Sequence, residues 1–282
     1  MEIINDLKTS RFWRHFLVKA FAVAGGLSGL IQFNNAVFPS TAWTGNNVLW
    51  TVIAISFVVG ILLAWPRPIM AEYSSPKTKI TIVKGDLLEE KGHIVIGASD
   101  TFDTEPPNII ARQSLQGQVL DRLYGGNLAL LDQHIDEALR GYQSIGSIQK
   151  AGKNTKYNIG TVAVVTNGPR KLFFSAYSEM NDLNESRATP DTVWKSLQAL
   201  WSSVSVHGNG TTISIPVIGG GQARLSSVMP AQDSIRFIAL SFMMASRRER
   251  ICDELRIIVR SDDYQKLDRL EIQSFISSLR PS

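Results

Sequence analysis

Three stretches of this chain carry residue types that could hold a phosphate-bearing ligand. The first is Ile213 to Arg224, a short apolar run entering Gly219, Gly220 and Gly221 and then Gln222, Ala223 and Arg224. Glycines without Cβ atoms let a backbone approach an anion closely, and successive N–H groups can point into one concavity. Three glycines could equally do no more than turn the chain. The second is Ser99-Asp100-Thr101-Phe102-Asp103-Thr104, which leads to Ser114-Leu115-Gln116-Gly117-Gln118. The latter opens a helical pattern, and helix N-terminal amides favour anions. The third is Lys84-Gly85-Asp86-Leu87-Leu88, directly after a short alternating run. Asp100 and Asp103, three apart, could bind Mg²⁺ or act as acid and base, or simply form Asx-turns in a solvated loop. Arg224 could grip a phosphate or carboxylate bidentately, or form an ordinary ion pair on the next element. His93, His134 and His207 lack metal-ligand spacing, and Cys252 reads as a small buried residue. No catalytic residue, metal ligand or resident cofactor is therefore assigned.

The elements that must position these stretches alternate between two periodicities. Lys79–Val83 and His93–Ala98 read as strands, and Gln113–Tyr124 and Leu128–Tyr142 as helices. Thr161–Thr166 and Leu172–Tyr177 form a hairpin around Asn167-Gly168. Thr189-Pro190 opens a helix with apolar face Val193, Leu197, Leu200, Trp201 and Val204. A central strand over Thr211–Ile218 is followed by a helix over Ala231–Ser246. Then come a strand over Leu255–Arg260 and a final helix capped by Ser261, with Leu267, Leu270, Ile272, Phe275 and Ile276 inside. Such alternation implies an α/β fold: a mixed sheet with helices on both faces and ligands outside the strands' carboxyl ends. No internal repeat is present.

The charge is unevenly placed. From Ala20 to Pro66 there is no Asp, Glu, Lys, Arg or His. Residues 1–77 carry six Lys/Arg against three Asp/Glu, leaving 23 against 22 for residues 78–282. A nearly neutral large domain argues against nucleic acid as a partner. Phe16–Phe33 and Val48–Trp65 are apolar runs of 18 residues, each able to reach about 27 Å as a helix and so cross a bilayer. Arg11, Arg14 and Lys19 precede or open the first, and Arg67, Lys77 and Lys79 follow the second. The positive-inside rule then puts both termini of a multi-pass membrane protein in the cytoplasm and the short loop outside. A cleaved signal peptide is the alternative reading of the first run. Gly25 and Gly29 could let helices approach within the bilayer, between the spans or between protomers, or be ordinary membrane glycines. The expected domains are a transmembrane hairpin over 1–69, a linker over 70–78 and a cytosolic domain over 79–282. A single cysteine fits a reducing compartment.

Strand–Gly-Asp-Leu, apolar strand–small polar loop and late strand–Gly-Gly-Gly-Gln-Ala, in that order, resemble the macrodomain, an ADP-ribose-binding three-layer α/β/α fold. The resemblance implies that Asp86, with Leu87, meets the adenine amino group. It implies that Ser99, Asp100, Thr101 and Phe102, with Ser114, Gly117 and Gln118, cradle the diphosphate and distal ribose. Gly219, Gly220, Gly221, Gln222, Ala223 and Arg224 would complete that cradle. With two preceding membrane helices the chain resembles the membrane effector of type II Thoeris anti-phage defence. That implies an ADP-ribose-derived signal, a histidine conjugate made from NAD by a TIR-domain enzyme. It further implies a place in the bacterial inner membrane, homo-oligomerisation and disruption of that lipid bilayer. Hydrolytic macrodomains usually carry Asn-Ala-Ala-Asn on the second strand, whereas this segment reads Ile96-Gly97-Ala98-Ser99. The expectation is thus a sensor and not an enzyme, with a membrane-tethered ADP-ribosyl hydrolase as the alternative.

Overall fold

The computed structural model describes residues 10–64, 68–219, 225 and 228–280. The chain divides into two units, residues 1–67 and 68–282. In the first, helices α1 (Ser10–Val37) and α2 (Asn46–Ala64) are each long and apolar enough to cross a membrane. They meet at Gly60, where a Cβ would lie 2.9 Å from the Cβ of Ala20, and Phe16 packs edge-on against Phe57 at 5.3 Å. Gly25 and Gly29 have nothing within 4 Å of an added Cβ, so the small-residue contact within the hairpin falls on Gly60 instead. Trp65, Pro66 and Arg67 lie outside the described residues.

The second unit is built on one sheet. Its strands are β1 (Ile69–Ser74), β2 (Lys77–Lys84), β3 (His93–Ser99), β6 (Val162–Asn167), β7 (Arg170–Met180), β8 (Ser186–Arg187), β9 (Ile213–Pro216) and β10 (Glu254–Val259). The path through it runs β1-β2-β10-β9-β3-β7-β6, with β8 paired to β7. β2, β10, β9, β3 and β7 are mutually parallel, while β1 and β6 add antiparallel edges. The hairpin at Asn167-Gly168 forms as the sequence implies, with Gly168 at φ +58°.

Helices cover both faces. On one side α3 (Leu115–Leu123) and α4 (Leu128–Leu139) bury Val119, Leu120, Leu131 and Ile135 against Ile94, Ile96 and Phe174. On the other, α5 (Pro190–His207), α6 (Ala231–Ser246) and α8 (Arg269–Ser278) pack on Val95, Phe173 and Ile257. The side chains of β3 therefore alternate between two cores, as a pleated strand requires. Thr189 and Thr192 close a reciprocal capping box on α5, and fully buried Trp201 donates Nε1–H to Ser241 Oγ at 3.0 Å. The mixed sheet with helices on both faces is the three-layer α/β/α fold.

Several expectations are corrected. Residues 70–78 are not a free linker: Met70 to Ser74 lie in β1, whose register runs Ile69↔Ile82 to Ser74↔Lys77. Tyr73 donates to Ile276 O at 2.6 Å, and Gln273 pairs with both backbone groups of Met70, so this edge strand is bound to α8. Alternating Ile69, Ala71 and Tyr73, all buried, carry the period-2 signal that Ser75 and Pro76 disguised. Ser261 does not cap the last helix. It begins a single turn, α7 (Ser261–Tyr264), and Asp268 caps α8 through Leu270 and Glu271. Leu270 is 60% exposed, not inside.

A small hairpin of β4 (Gly146–Ser147) and β5 (Thr155–Lys156) carries Lys150, whose side chain is fully buried against Asp103 at 2.9 Å. Asp103 also accepts from Lys153 N–H at 2.9 Å and Thr101 Oγ1 at 2.5 Å, which satisfies its lone pairs. Lys150→Met is expected to lower the unfolding free energy by about 3–5 kcal/mol, because it strands a buried carboxylate. The double variant with Asp103→Leu should recover much of that loss. Urea denaturation of the full chain in detergent micelles measures both, and equal stabilities of single and double variants would contradict the assignment.

Candidate ligand site at the strand ends

Because five neighbouring strands are parallel, their carboxyl ends share one rim. A cavity of about 900 Å³ opens there. Each strand end contributes: Asp86 and Leu87 after β2, Ser99 from β3, Val217 to Gly219 after β9, Arg260 after β10, and Tyr177, Ser178 and Met180 from β7. Ser114 and Gln118 enter from the start of α3.

Of the residues singled out in the sequence, Asp86, Leu87, Ser99, Ser114, Gln118 and Gly219 come together around this cavity. Gly219 sits at φ +104°, a conformation that L side chains rarely adopt. Gly220, Gly221, Gln222, Ala223 and Arg224 lie outside the described residues. Asp100, Thr101, Phe102 and Gly117 do not line the cavity. Asp100 is buried with one oxygen on Lys156 Nζ at 2.9 Å and the other on Met180 N at 2.8 Å. Phe102, at φ +52°, turns its ring into the α3–α4 core, edge-on to Tyr157 at 5.7 Å. Gly117 is needed for packing, since a Cβ there would come 2.3 Å from Arg112 O. Asp100 and Asp103, each 1–2% exposed and paired to lysine, are not a solvated loop and cannot serve as acid and base toward the cavity.

The hydroxyls can be oriented by elimination. Thr101 has one proton and gives it to Asp103, so at the 3.1 Å contact between Ser99 Oγ and Thr101 Oγ1 it is Ser99 that donates. Ser99 then keeps only acceptor capacity, which suits a ligand hydroxyl better than a phosphate oxygen. Ser114 Oγ accepts Gly117 N–H at 3.2 Å as the cap of α3. Ser175, also lining the cavity, is 3% exposed, and its Oγ is without a hydrogen-bond partner among the described residues. Gly97 leaves room for Tyr177, whose ring would lie 2.3 Å from a Cβ at position 97, and burial pushes the Tyr177 hydroxyl up to about 12.

Residues 80–260 match the family described as Thoeris protein ThsA, Macro domain. The chain belongs to the Thoeris ThsA macro-domain family. No curated protein sequence matched it. Among solved structures this ThsA macro domain is similar to an Oceanobacillus iheyensis macrodomain variant with ADPR. Their TM-score is 0.51 at 13% identity, covering 74% of this chain and 99% of that one. A second variant of that macrodomain aligns at TM-score 0.50 and 13% identity, covering 76% and 96%. The likeness is one of fold: the three-layer sandwich described above is a macrodomain.

Sequence reasoning missed the fourth contributor to the ThsA rim, Arg260 with Ser261 and Asp263 after β10, and the Asn184–Ser186 segment beside β7. The first had a signal, because every parallel strand ends on this rim. The second had none, since Asn184 arrives through a short turn at φ +58° before β8.

Asp86 is held at 2.5 Å by Arg122 and accepts Leu88 N–H at 2.9 Å. Burial pushes its carboxyl up, but Arg122 and the Leu88 amide outweigh this and hold it below the usual carboxylate range. Its folded value is thus lower than its unfolded one. The stabilisation is present above the unfolded pKa and is lost as pH falls through the lowered folded value. In Arg122→Gln the Asp86 carboxyl should titrate at higher pH by ¹³C NMR, and an unchanged titration would contradict this role for the pair.

Proposed function

We propose that this Thoeris macro-domain protein is a membrane-anchored sensor that binds an ADP-ribose-type signal in the cavity at the strand ends. The observation that carries the reading is the convergence of Asp86, Ser99 and Gly219 on one cavity. It holds an amine acceptor at one end, a left-handed glycine turn along the rim and a hydroxyl acceptor near the middle. Those groups suit an aminated base, a diphosphate and a ribose in turn. An ADPR-bound neighbour with the same fold and membership of the ThsA family support it.

The finer reading is that α1 and α2 cross the bacterial inner membrane with both termini in the cytoplasm. The uncharged span region and its flanking arginines and lysines support this. The signal is a histidine conjugate of ADP-ribose from a TIR-domain enzyme, and its binding drives homo-oligomerisation that disrupts the bilayer. The hydroxyl of Ser175, without a partner among the described residues, supports a ligand that brings a polar group to that part of the cavity. Binding is favoured over hydrolysis because the two aspartates nearest Ser99 in the chain are consumed by buried ion pairs.

Calorimetry of the full chain in detergent micelles, against ADP-ribose and its histidine conjugate, tests this. Stoichiometric heat without release of product over hours, and tighter binding of the conjugate, are expected. Absence of heat with either ligand would overturn the sensor reading, and catalytic turnover would favour the hydrolase.

A further inference from the structure

We infer that α8 carries ligand occupancy from the cavity to β1, the strand that follows the membrane unit in the chain, with Glu271 receiving the signal and Gln273 passing it on. This deepens the sensor reading above and rests on it. Only Pro68 separates β1 from the first unit, which ends at Arg67. Whatever tightens or loosens β1 therefore acts at the junction between the two units.

The bridge starts at the cavity. Ile218, Gly219, Met229 and Ala231 line it, and Ile218 N–H donates at 2.9 Å to the hydroxyl of Ser234, fully buried in the first turn of α6. The residue before α6 is Pro230, which provides no side-chain cap. Helix-start amides without such a cap depend on an acceptor from elsewhere. A ligand acceptor beside Ala231 supplies one, so occupancy changes the free energy of that turn. A differential effect of this kind is what lets a ligand shift an equilibrium.

Directed contacts then lock the same turn to α8. Gln232 donates Nε2–H to Glu271 Oε2 at 2.6 Å and accepts Asp268 N–H at 3.0 Å. Arg236, four residues on and so on the same face of α6, holds the other oxygen of Glu271. Two residues along α8, Gln273 repeats the device on β1: it accepts Met70 N–H at 3.0 Å and donates to Met70 O at 2.9 Å. β1 is an edge strand paired only with β2, so these bonds are made on its open side. The residues packed beneath, Ile69, Ile235, Ile272 and Ile276, are apolar, and apolar packing is non-directional. The two glutamine amides, each bonded at both ends, set the register in which α6, α8 and β1 shift together.

Amide hydrogen exchange of the full chain in detergent micelles, with and without saturating ADP-ribose, tests the bridge. In the unaltered chain the ligand is expected to slow exchange in residues 69–74 by at least about fivefold, the lower end for coupling between two sites. The far edge strand β6 should be unchanged. Glu271→Ala and Gln273→Ala should each lose the slowing at 69–74 while keeping protection of residues 85–88 at the cavity. Arg140→Ala, which breaks an exposed ion pair with Glu137 on α4, should behave as the unaltered chain. Slowing at 69–74 that survives both α8 variants, or disappears equally in Arg140→Ala, would overturn the inference, as would equal slowing in β6. Protection of 85–88 with 69–74 unaffected would also overturn it, while leaving the sensor reading intact. Failure of the unaltered chain to bind ADP-ribose would remove both.

Discussion

The constraint on which this macrodomain depends is the parallel alignment of β2, β10, β9, β3 and β7. Parallel strands must be joined by crossovers, so helices cover both faces and every strand delivers its carboxyl end to the same rim. Segments separated by well over a hundred residues, such as Asp86 and Gly219, then line one cavity. The glycine at φ +104° and the capped start of α3 matter only because the sheet has already brought them to one cavity.

The bend after β3 shows how that rim is kept rigid. Its polar residues look solvated in the sequence, yet Asp100, Thr101 and Asp103 are buried and tied to Lys156 and Lys150 of the β4–β5 hairpin. Phe102 is driven inward at a left-handed φ that a bulky residue tolerates only where its surroundings fix it. The bend thus spends its charged groups on structure and presents Ser99 alone to the cavity. The two aspartates of this bend are thereby tied into the fold and turned away from the cavity.

Much of the fold is legible in the sequence. The apolar faces of α5 and α6 follow the helical period, and Val193, Leu197, Leu200, Trp201, Ile235, Ile238, Phe242 and Met243 are all buried. The edge strand β1 was not legible as such, because Ser75-Pro76 reads as a linker and its docking partners, Gln273 and Ile276, lie some two hundred residues away. At the site, sequence order identified which strand ends matter, whereas the direction of each side chain depended on partners that no local pattern reveals. Lys150 on a remote hairpin decides the fate of Asp103, and Arg122 on α3 decides that of Asp86.

The central claim is that the shared rim is where an ADP-ribose-type molecule sits. Hydrogen–deuterium exchange of the full chain in nanodiscs, with and without saturating ADP-ribose, tests it most directly. Slower exchange in peptides covering residues 85–88, 114–118 and 217–225 together is the predicted result. Protection confined to the opposite edge of the sheet, or no protection at saturating ligand, would contradict it.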